Sequence, residues 1–129
     1  MTDSKPEGEL TLRTLAMPAD ANAAGDIFGG WVMSQMALAC GIRGAERAGG
    51  RVVTAAVNAM SFEKPMHVGD TLSVYTNITR LGRTSMTLKV EAWAQRYLTN
   101  TMVKVTEATF VMVAFDENGK PTPIPKDVP

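Results

Sequence analysis

Two adjacent glycines at the start of a predicted helix are the residues of this sequence best suited to chemistry. Gly29 and Gly30 follow a loop of small residues that begins at Asn22. Glycine lets the backbone approach a ligand closely, and the unpaired N–H groups of a first helical turn carry the positive end of the helix dipole. Such a helix start can polarise a carbonyl group or stabilise an oxyanion. A Gly-Gly pair also allows a helix to pack tightly on a sheet, so spacing alone leaves both interpretations open.

Few side chains near this helix start are suited to act as an acid, a base or a nucleophile. Asp26 is the nearest carboxylate in sequence, although a cap for the loop is its simpler role. Cys40 has no histidine on its helix and fits a buried core position. His67 lies in a turn without an obvious partner, and Ser34 is expected to bond the backbone more readily than a substrate. One Cys and one His cannot form a zinc site. This count leaves ions held by carboxylates open, and we assign no residue to a metal.

The helix that positions the glycines is predicted from about Gly29 to Arg47. Its residues are good helix formers and are apolar on almost every face until Ile42. This pattern predicts a helix surrounded by protein. The pair Gly49-Gly50 is expected to end it.

The rest of the chain is typical of β-strands joined by short turns. A short strand is predicted from Leu10 to Ala16. Four longer strands are predicted at Arg51 to Phe62, Thr71 to Arg80, Ser85 to Arg96 and Met102 to Phe115. In the strand that begins at Ser85, apolar and polar residues alternate, as in a sheet with one buried face. Short turns favour antiparallel pairing, so the predicted class is α+β with the helix against one face of the sheet.

Length and composition indicate one domain in a reducing compartment. The 129 residues carry 13 basic and 13 acidic side chains, so no net charge attracts nucleic acid or a membrane surface. No leader or long apolar span is present, and the lone cysteine cannot form an internal disulfide, so we predict a cytoplasmic protein. We divide the chain into a flexible arm at 1–9, a domain at 10–120 and a proline-rich tail at 121–129.

Eight segments in a fixed order connect the sequence to a known family. They are LRTLAMP at 12–18, IFGGW at 27–31, MSQM at 33–36, GRVVT at 50–54, FEKP at 62–65, VGD at 68–70, GRTS at 82–85 and IP at 124–125. Together they span nearly the whole chain. The sequence resembles the YciA-type acyl-coenzyme A thioesterases of the hot-dog superfamily.

The resemblance implies a fold, a reaction and an assembly. The fold is the hot-dog fold, in which an antiparallel sheet wraps around one long central helix. The reaction is hydrolysis of acyl-coenzyme A to a free acid and coenzyme A, in fatty acyl-CoA metabolism, with no cofactor required. Active sites lie at subunit interfaces of a homo-oligomer, either a dimer or a hexameric trimer of dimers. Asn22 would position the water or the thioester, and the Gly30 N–H would hold the carbonyl oxygen.

A coenzyme A substrate needs cations for its phosphates and an apolar slot for its acyl chain. For the phosphates, Arg83 and Thr84 are the first candidates. The second-ranked candidates are Arg80, Arg51 and Lys64. The residues expected to contact the rest of the substrate are Gly29, Trp31, Ser34 and Phe62, with Met33 and Met36 as further lining. Each of these side chains also fits an ordinary core or surface role.

The sequence departs from the family at the residue that supplies the base. The family carries an aspartate on the helix directly after Ser-Gln-Met, and this chain has Ala37 there. An alanine methyl cannot take a proton from water or attack a carbonyl. Asn58 also stands where relatives often carry an acid. The alternative function is therefore a non-catalytic acyl-CoA binder or regulatory subunit. A dehydratase ranks last, because that chemistry needs a histidine paired with a carboxylate.

Overall fold

Seven elements make up the described chain, which in this computed structural model runs from residue 5 to residue 126. The first four and last three residues, parts of the predicted arm and tail, lie outside the described residues. The elements are β1 (Glu9–Leu15), a 3-10 turn (Pro18–Asp20), α1 (Gly29–Ala48), β2 (Val52–Phe62), β3 (Thr71–Leu81), β4 (Ser85–Gln95) and β5 (Met102–Ala114). Every predicted helix and strand is present, with its ends within one residue of the prediction.

The five strands form one sheet in the order β1-β3-β4-β5-β2, and all neighbouring strands are antiparallel. The helix α1 lies across one face and contacts all five strands. The α+β class and the hot-dog arrangement are thus confirmed. β2 lies at the edge of the sheet opposite β1, and its last residue, Phe62, lies against Gly29 at the start of α1.

One face of α1 forms the core with the sheet. Its residues Val32, Met36 and Cys40 are buried and pack with Leu88 and Phe110 of the sheet. Burial of each such side chain contributes roughly 1.5–3 kcal/mol. The helix ends at Gly49, whose φ of 71° places it in the left-handed region that favours glycine.

The opposite side of α1 is open in the single chain. Met33, Leu38 and Ile42 are 40%, 55% and 48% exposed. The prediction that protein surrounds the whole helix therefore fails for one chain alone, because the sheet covers only one side. An apolar pattern on every face does not distinguish sheet-facing residues from those that face another molecule.

The outer face of β4 is also more buried than alternation predicts. Glu91 and Trp93 are only 3% and 4% exposed although they point away from α1. The Glu91 carboxylate accepts hydrogen bonds from Trp93 Nε1 at 2.8 Å and from the Glu7 backbone N–H at 3.3 Å. The segment before β1 thus covers this carboxylate and satisfies it, which offsets the cost of its burial.

Close to its end, β2 contains a bulge. Asn58 pairs with Thr109 and Ser61 with Glu107, so β2 has one more residue than β5 across this interval. Within it, Ala59 has a φ of 54°. The Thr106 hydroxyl donates to the Ser61 carbonyl at 2.5 Å and holds the far side of the bulge. An alanine in the left-handed region is strained by roughly 1–2 kcal/mol.

Replacing Ala59 with glycine is expected to stabilise the fold by about 1 kcal/mol, because glycine adopts a positive φ without a Cβ clash. Differential scanning calorimetry at matched chain concentration would show this as a raised Tm. The matched control is Ala56→Gly in the same strand, where φ is negative. There we expect a loss of roughly 0.5–1 kcal/mol. Equal losses in both variants would contradict strain at Ala59.

The described part of the tail packs on the domain. Ile124 is 8% exposed and belongs to the core, and Arg47 donates to the Pro125 carbonyl at 2.7 Å. The division into arm, domain and tail stays a prediction. Within residues 5–126, α1 is not long and apolar enough to cross a membrane.

Candidate functional site

The loop that leads into α1 is organised by Asn22. Its Oδ1 accepts hydrogen bonds from the N–H groups of Ala24 at 2.9 Å and Asp26 at 3.1 Å. Its own N–H donates to the Asp26 carbonyl at 2.8 Å. A side chain that bonds its own loop in this way fixes the turn. Since the oxygen is engaged, the side-chain NH2 is the part of Asn22 left to donate to a ligand.

The first turn of α1 offers two backbone donors. The N–H groups of Trp31 and Val32 donate to the Phe28 carbonyl at 3.1 and 3.3 Å, so helical bonding begins there. Those of Gly29 and Gly30 come earlier and have no acceptor among the described residues. A Cβ placed on Gly30 would meet no atom within 4 Å. Gly30 is thus an exposed residue at the positive end of the helix, and its N–H has no acceptor among the described residues.

Beside this turn is a cavity that we call the helix-start cleft. Its volume is about 330 Å³. The lining residues are Ile27, Gly29, Val32, Phe62, Glu63, Lys64, Pro65, Met66 and Val105. The lining is mostly apolar, with one carboxylate and one ammonium group. The ring of Phe62 lies against the helix start, since a Cβ on Gly29 would be 3.1 Å from its Cζ. The cleft is therefore suited to an apolar group next to a polarised carbonyl.

A second cavity, the helix groove, runs along the open side of α1. Its volume is about 780 Å³. The lining residues are Ser34, Ala37, Leu38, Gly41, Ile42, Ala45, Val52, Thr54 and Met112. The Ser34 hydroxyl donates to the Trp31 carbonyl at 2.7 Å, a bond within the helix. Ala37 follows Gly30 by seven residues, so it lies on the same helix face about 10 Å further along the axis.

The predicted phosphate-binding residues do not gather at the helix start. Arg51 and Thr84 accept backbone bonds from Phe115 and Ala114 respectively, at the far end of β5. The guanidinium of Arg51 stacks over the Phe115 ring at 5.6 Å. Since α1 has 20 residues, that end of the sheet lies about 30 Å from Gly29.

Of the other predicted cations, Arg80 and Arg83 lie near Thr84, at either side of the β3–β4 turn, and both are exposed. Lys64 alone among the five candidates lines the helix-start cleft. Asn58 is exposed and pairs with Thr109 on the face of the sheet away from α1. Among residues 5–126, no group of three His, Cys, Asp or Glu side chains is placed to hold a metal ion.

His67 has a partner that the sequence did not reveal. Its Nδ1 lies 3.2 Å from Asp26 Oδ1, and the two residues also form a β-bridge. The expectation that His67 has no partner is therefore wrong. Both side chains are about half exposed. Neighbouring Ile27 and Met66 line the cleft, and in extended chain Asp26 and His67 point to the other side. The Asp26–His67 pair therefore stabilises the loop and does not supply a base to the cleft.

Asp70 fixes the turn that carries His67. No sequence pattern indicated this role. It is 2% exposed, and its carboxylate accepts from the N–H groups of His67 at 3.0 Å and Tyr97 at 3.1 Å. Arg96 donates to it at 2.7 Å. Charge-assisted bonds of this kind are about twice as strong as neutral ones. Asp70 thus holds the turn that carries His67, and through it the loop with Asn22.

The Cys40 thiol is unreactive in the folded chain. Cys40 is fully buried, and desolvation by that burial raises the pKa of its thiol from 9.0 to about 12. The thiolate is the reactive form, and at pH 8 only about one thiol in 10⁴ would be ionised. The prediction that Cys40 is a buried core residue is confirmed.

At pH 8 the folded chain is expected to resist iodoacetamide, and to react fully after unfolding in guanidinium chloride. Mass spectrometry of the labelled protein checks this. The folded thiol also keeps its proton to a higher pH than the unfolded thiol does. The unfolded state therefore binds fewer protons above pH 9, so stability should fall as pH rises past about 9. Rapid labelling of the native protein at pH 8 would contradict burial.

Known proteins share both the sequence and the fold. Residues 24–98 match the family described as the thioesterase superfamily. The acyl-CoA thioester hydrolase YciA of Salmonella typhimurium is 48% identical over 126 residues, with 95% of each chain covered. A hexameric thioesterase of Yersinia pestis has a TM-score of 0.91 and 47% identity, with 95% of this chain and 100% of that chain covered.

A third similar protein has been solved in a mutant form. It is an aspartate-to-alanine mutant of a hexameric broad specificity acyl-coenzyme A thioesterase. Its structure has a TM-score of 0.90 and 48% identity, with 94% of this chain and 89% of that chain covered. An aspartate replaced by alanine is thus compatible with this fold in a relative.

Proposed function

Because this chain belongs to the YciA-type acyl-CoA thioester hydrolases of the thioesterase superfamily, we propose that it hydrolyses acyl-coenzyme A at the start of α1. The single observation that carries the proposal is the helix start itself, where the N–H of Gly30 has no acceptor among the described residues and the preceding Gly29 lines an apolar cleft. The thioester oxygen accepts this hydrogen bond, and the acyl chain enters the cleft. Asn22 donates from its side-chain NH2 to the water or to the thioester.

The reaction follows from these placements. The oxygen of a water molecule attacks the carbonyl carbon, and negative charge develops on the carbonyl oxygen. The Gly30 N–H and the helix dipole stabilise that charge most in the transition state, which lowers the barrier. The carbon–sulfur bond then breaks, and the released thiolate takes the proton that the water has lost. The products are the free acid and coenzyme A.

The base is the weak part of this site. We propose that Ala37 occupies the position of the helix aspartate, so that no carboxylate takes the proton from water. Loss of a positioned base typically costs 10²–10⁴-fold in rate, while the oxyanion donors preserve binding and some turnover. Asp26 is the carboxylate nearest to Gly30 in sequence, but its side chain is paired with His67. We therefore expect slow hydrolysis rather than none.

The complete site requires a second subunit. A carboxylate at position 37 would lie about 10 Å from a carbonyl held at Gly30 of the same chain, beyond hydrogen-bond reach. The phosphate candidates Arg83 and Thr84 lie further still. We propose that another subunit covers the helix groove, brings its own position 37, an alanine in the native chain, to the site, and supplies the phosphate-binding residues. The chain is a homo-oligomer, and hexameric relatives support a trimer of dimers. Its cytoplasmic location stays a prediction.

A second candidate function is favoured by Ala37 itself. A site that keeps its donors and cleft but lacks a base would bind acyl-coenzyme A without efficient turnover. Such a chain would act as a binder or regulatory subunit.

Steady-state release of coenzyme A from a panel of acyl chain lengths tests the proposal. Thiol release above the buffer rate supports hydrolysis. Binding of coenzyme A and a non-hydrolysable analogue, measured by calorimetry without thiol release, supports the second function. The absence of both contradicts the site at Gly30.

A further inference from the structure

The bulge in β2 decides which way Phe62 points. Val57 pairs with Phe110 and Phe62 pairs with Thr106, and both partners face α1. Residues 57 and 62 are five apart, so in a regular strand they would point to opposite faces. The extra residue at Ala59 removes this difference, because a shift of one residue exchanges the two faces. The Phe62 side chain therefore turns to the helix side of the sheet.

Phe62 meets the helix start where the acyl group must lie. Its ring is about 3 Å from where a Cβ on Gly29 would stand, and it remains 48% exposed beside the cleft. The next residue, Gly30, presents the N–H that would hold the carbonyl oxygen. An acyl group whose carbonyl is held at Gly30 would enter the cleft past this ring, which forms part of its wall.

We infer that Phe62, turned inward by the Ala59 bulge, is a specificity-determining residue that selects acyl groups unbranched at the carbon next to the carbonyl. This inference rests on the proposed function. A methyl branch at that carbon would meet the ring, whereas a linear chain passes it and lies against Val32 and Met66 in the cleft. The strain stored at Ala59 is consistent with a conformation kept for a site.

The test compares butyryl with isobutyryl, which have equal mass and differ only in the branch. Ketone analogues, in which a methylene replaces the thioester sulfur, report binding by calorimetry. The kcat/KM ratio of the two thioesters reports selection in the reaction. We expect the native chain to prefer butyryl by about tenfold or more, the usual effect of one carbon in a shaped pocket. In Phe62→Ala this preference is expected to approach one.

Two control variants isolate the ring and the bulge. Tyr75→Ala removes an aromatic side chain from the opposite face of the sheet and should keep the native ratio. Ala59→Gly keeps the extra residue and should also keep it. Deletion of Ala59 turns position 62 outward and should give the ratio of Phe62→Ala. Where the deletion variant does not fold, Phe62→Ala decides.

The outcomes separate the two claims. An unchanged ratio in Phe62→Ala, or an equal change in Tyr75→Ala, would overturn the role of Phe62. A folded deletion variant that keeps the native ratio would overturn the role of the bulge. Failure of the native chain to bind either ketone would instead overturn the proposed function.

Discussion

Replacing Ala37 with aspartate is expected to raise kcat for acyl-CoA hydrolysis by about 10²–10⁴-fold, with KM little changed. The carboxylate supplies the base that the native chain lacks, while the Gly30 N–H and the helix-start cleft are untouched. Position 37 lines an open groove and is only partly buried. In the single chain it therefore has room for the larger side chain, and the family that the sequence resembles carries an aspartate there. Continuous assay of released thiol over a range of substrate concentrations separates the two constants.

Two substitutions in the same groove serve as controls for that gain. Ala37→Asn introduces nearly the same volume without a base and is expected to stay at the native rate. Ala45→Asp places a carboxylate in the helix groove two turns further on, about 12 Å from position 37, and should also give no gain. An equal gain in Ala37→Asn would show that shape rather than basicity matters. No gain in Ala37→Asp would favour the non-catalytic binder.

The element boundaries were predictable because local chemistry sets them. The helix begins at Gly29 as predicted and ends one residue past Arg47, where Gly49 takes a left-handed φ that stops helical bonding. The strands end at turns rich in glycine, proline and asparagine for similar reasons. These signals act within a few residues, so they can be read directly along the chain.

Features that depend on distant residues were not predictable. The pair Asp26 and His67 is separated by 41 positions, and nothing local indicates that a β-bridge joins them. The bulge was missed because its left-handed residue is Ala59, which carries none of the glycine signal expected there. The placement of Arg83 away from Gly29 follows from the strand order, and strand order is decided by tertiary packing.

The part of the candidate site that depends on local sequence was predictable, and the part that depends on distant residues was not. The donors at Gly29 and Gly30 follow from a helix start, which is local. The cleft walls Met66 and Val105 come from a loop and a strand far along the chain, and only the folded sheet brings them to Phe62.

Removing the Gly30 N–H is expected to lower kcat by about 10²–10³-fold in the Ala37→Asp variant, where the rate is high enough to measure the loss. Gly30→Pro makes this change with little disturbance. Proline is tolerated in the first helical turn, where its missing N–H has no helical acceptor. The preceding Gly29 has no Cβ to clash with the ring. Steady-state kinetics and circular dichroism check activity and fold together.

The matched variant Gly30→Ala decides what the loss means. It keeps the N–H, and its Cβ would meet no atom of the chain within 4 Å. Its rate should therefore stay near that of the parent. If Gly30→Pro and Gly30→Ala lose activity equally while both remain folded, then space at the helix start is what the substrate requires, and the hydrogen bond from Gly30 contributes nothing. A loss confined to the proline variant excludes the shared Cβ as the cause and assigns the effect to the position of the N–H, where proline replaces the donor hydrogen with a ring carbon.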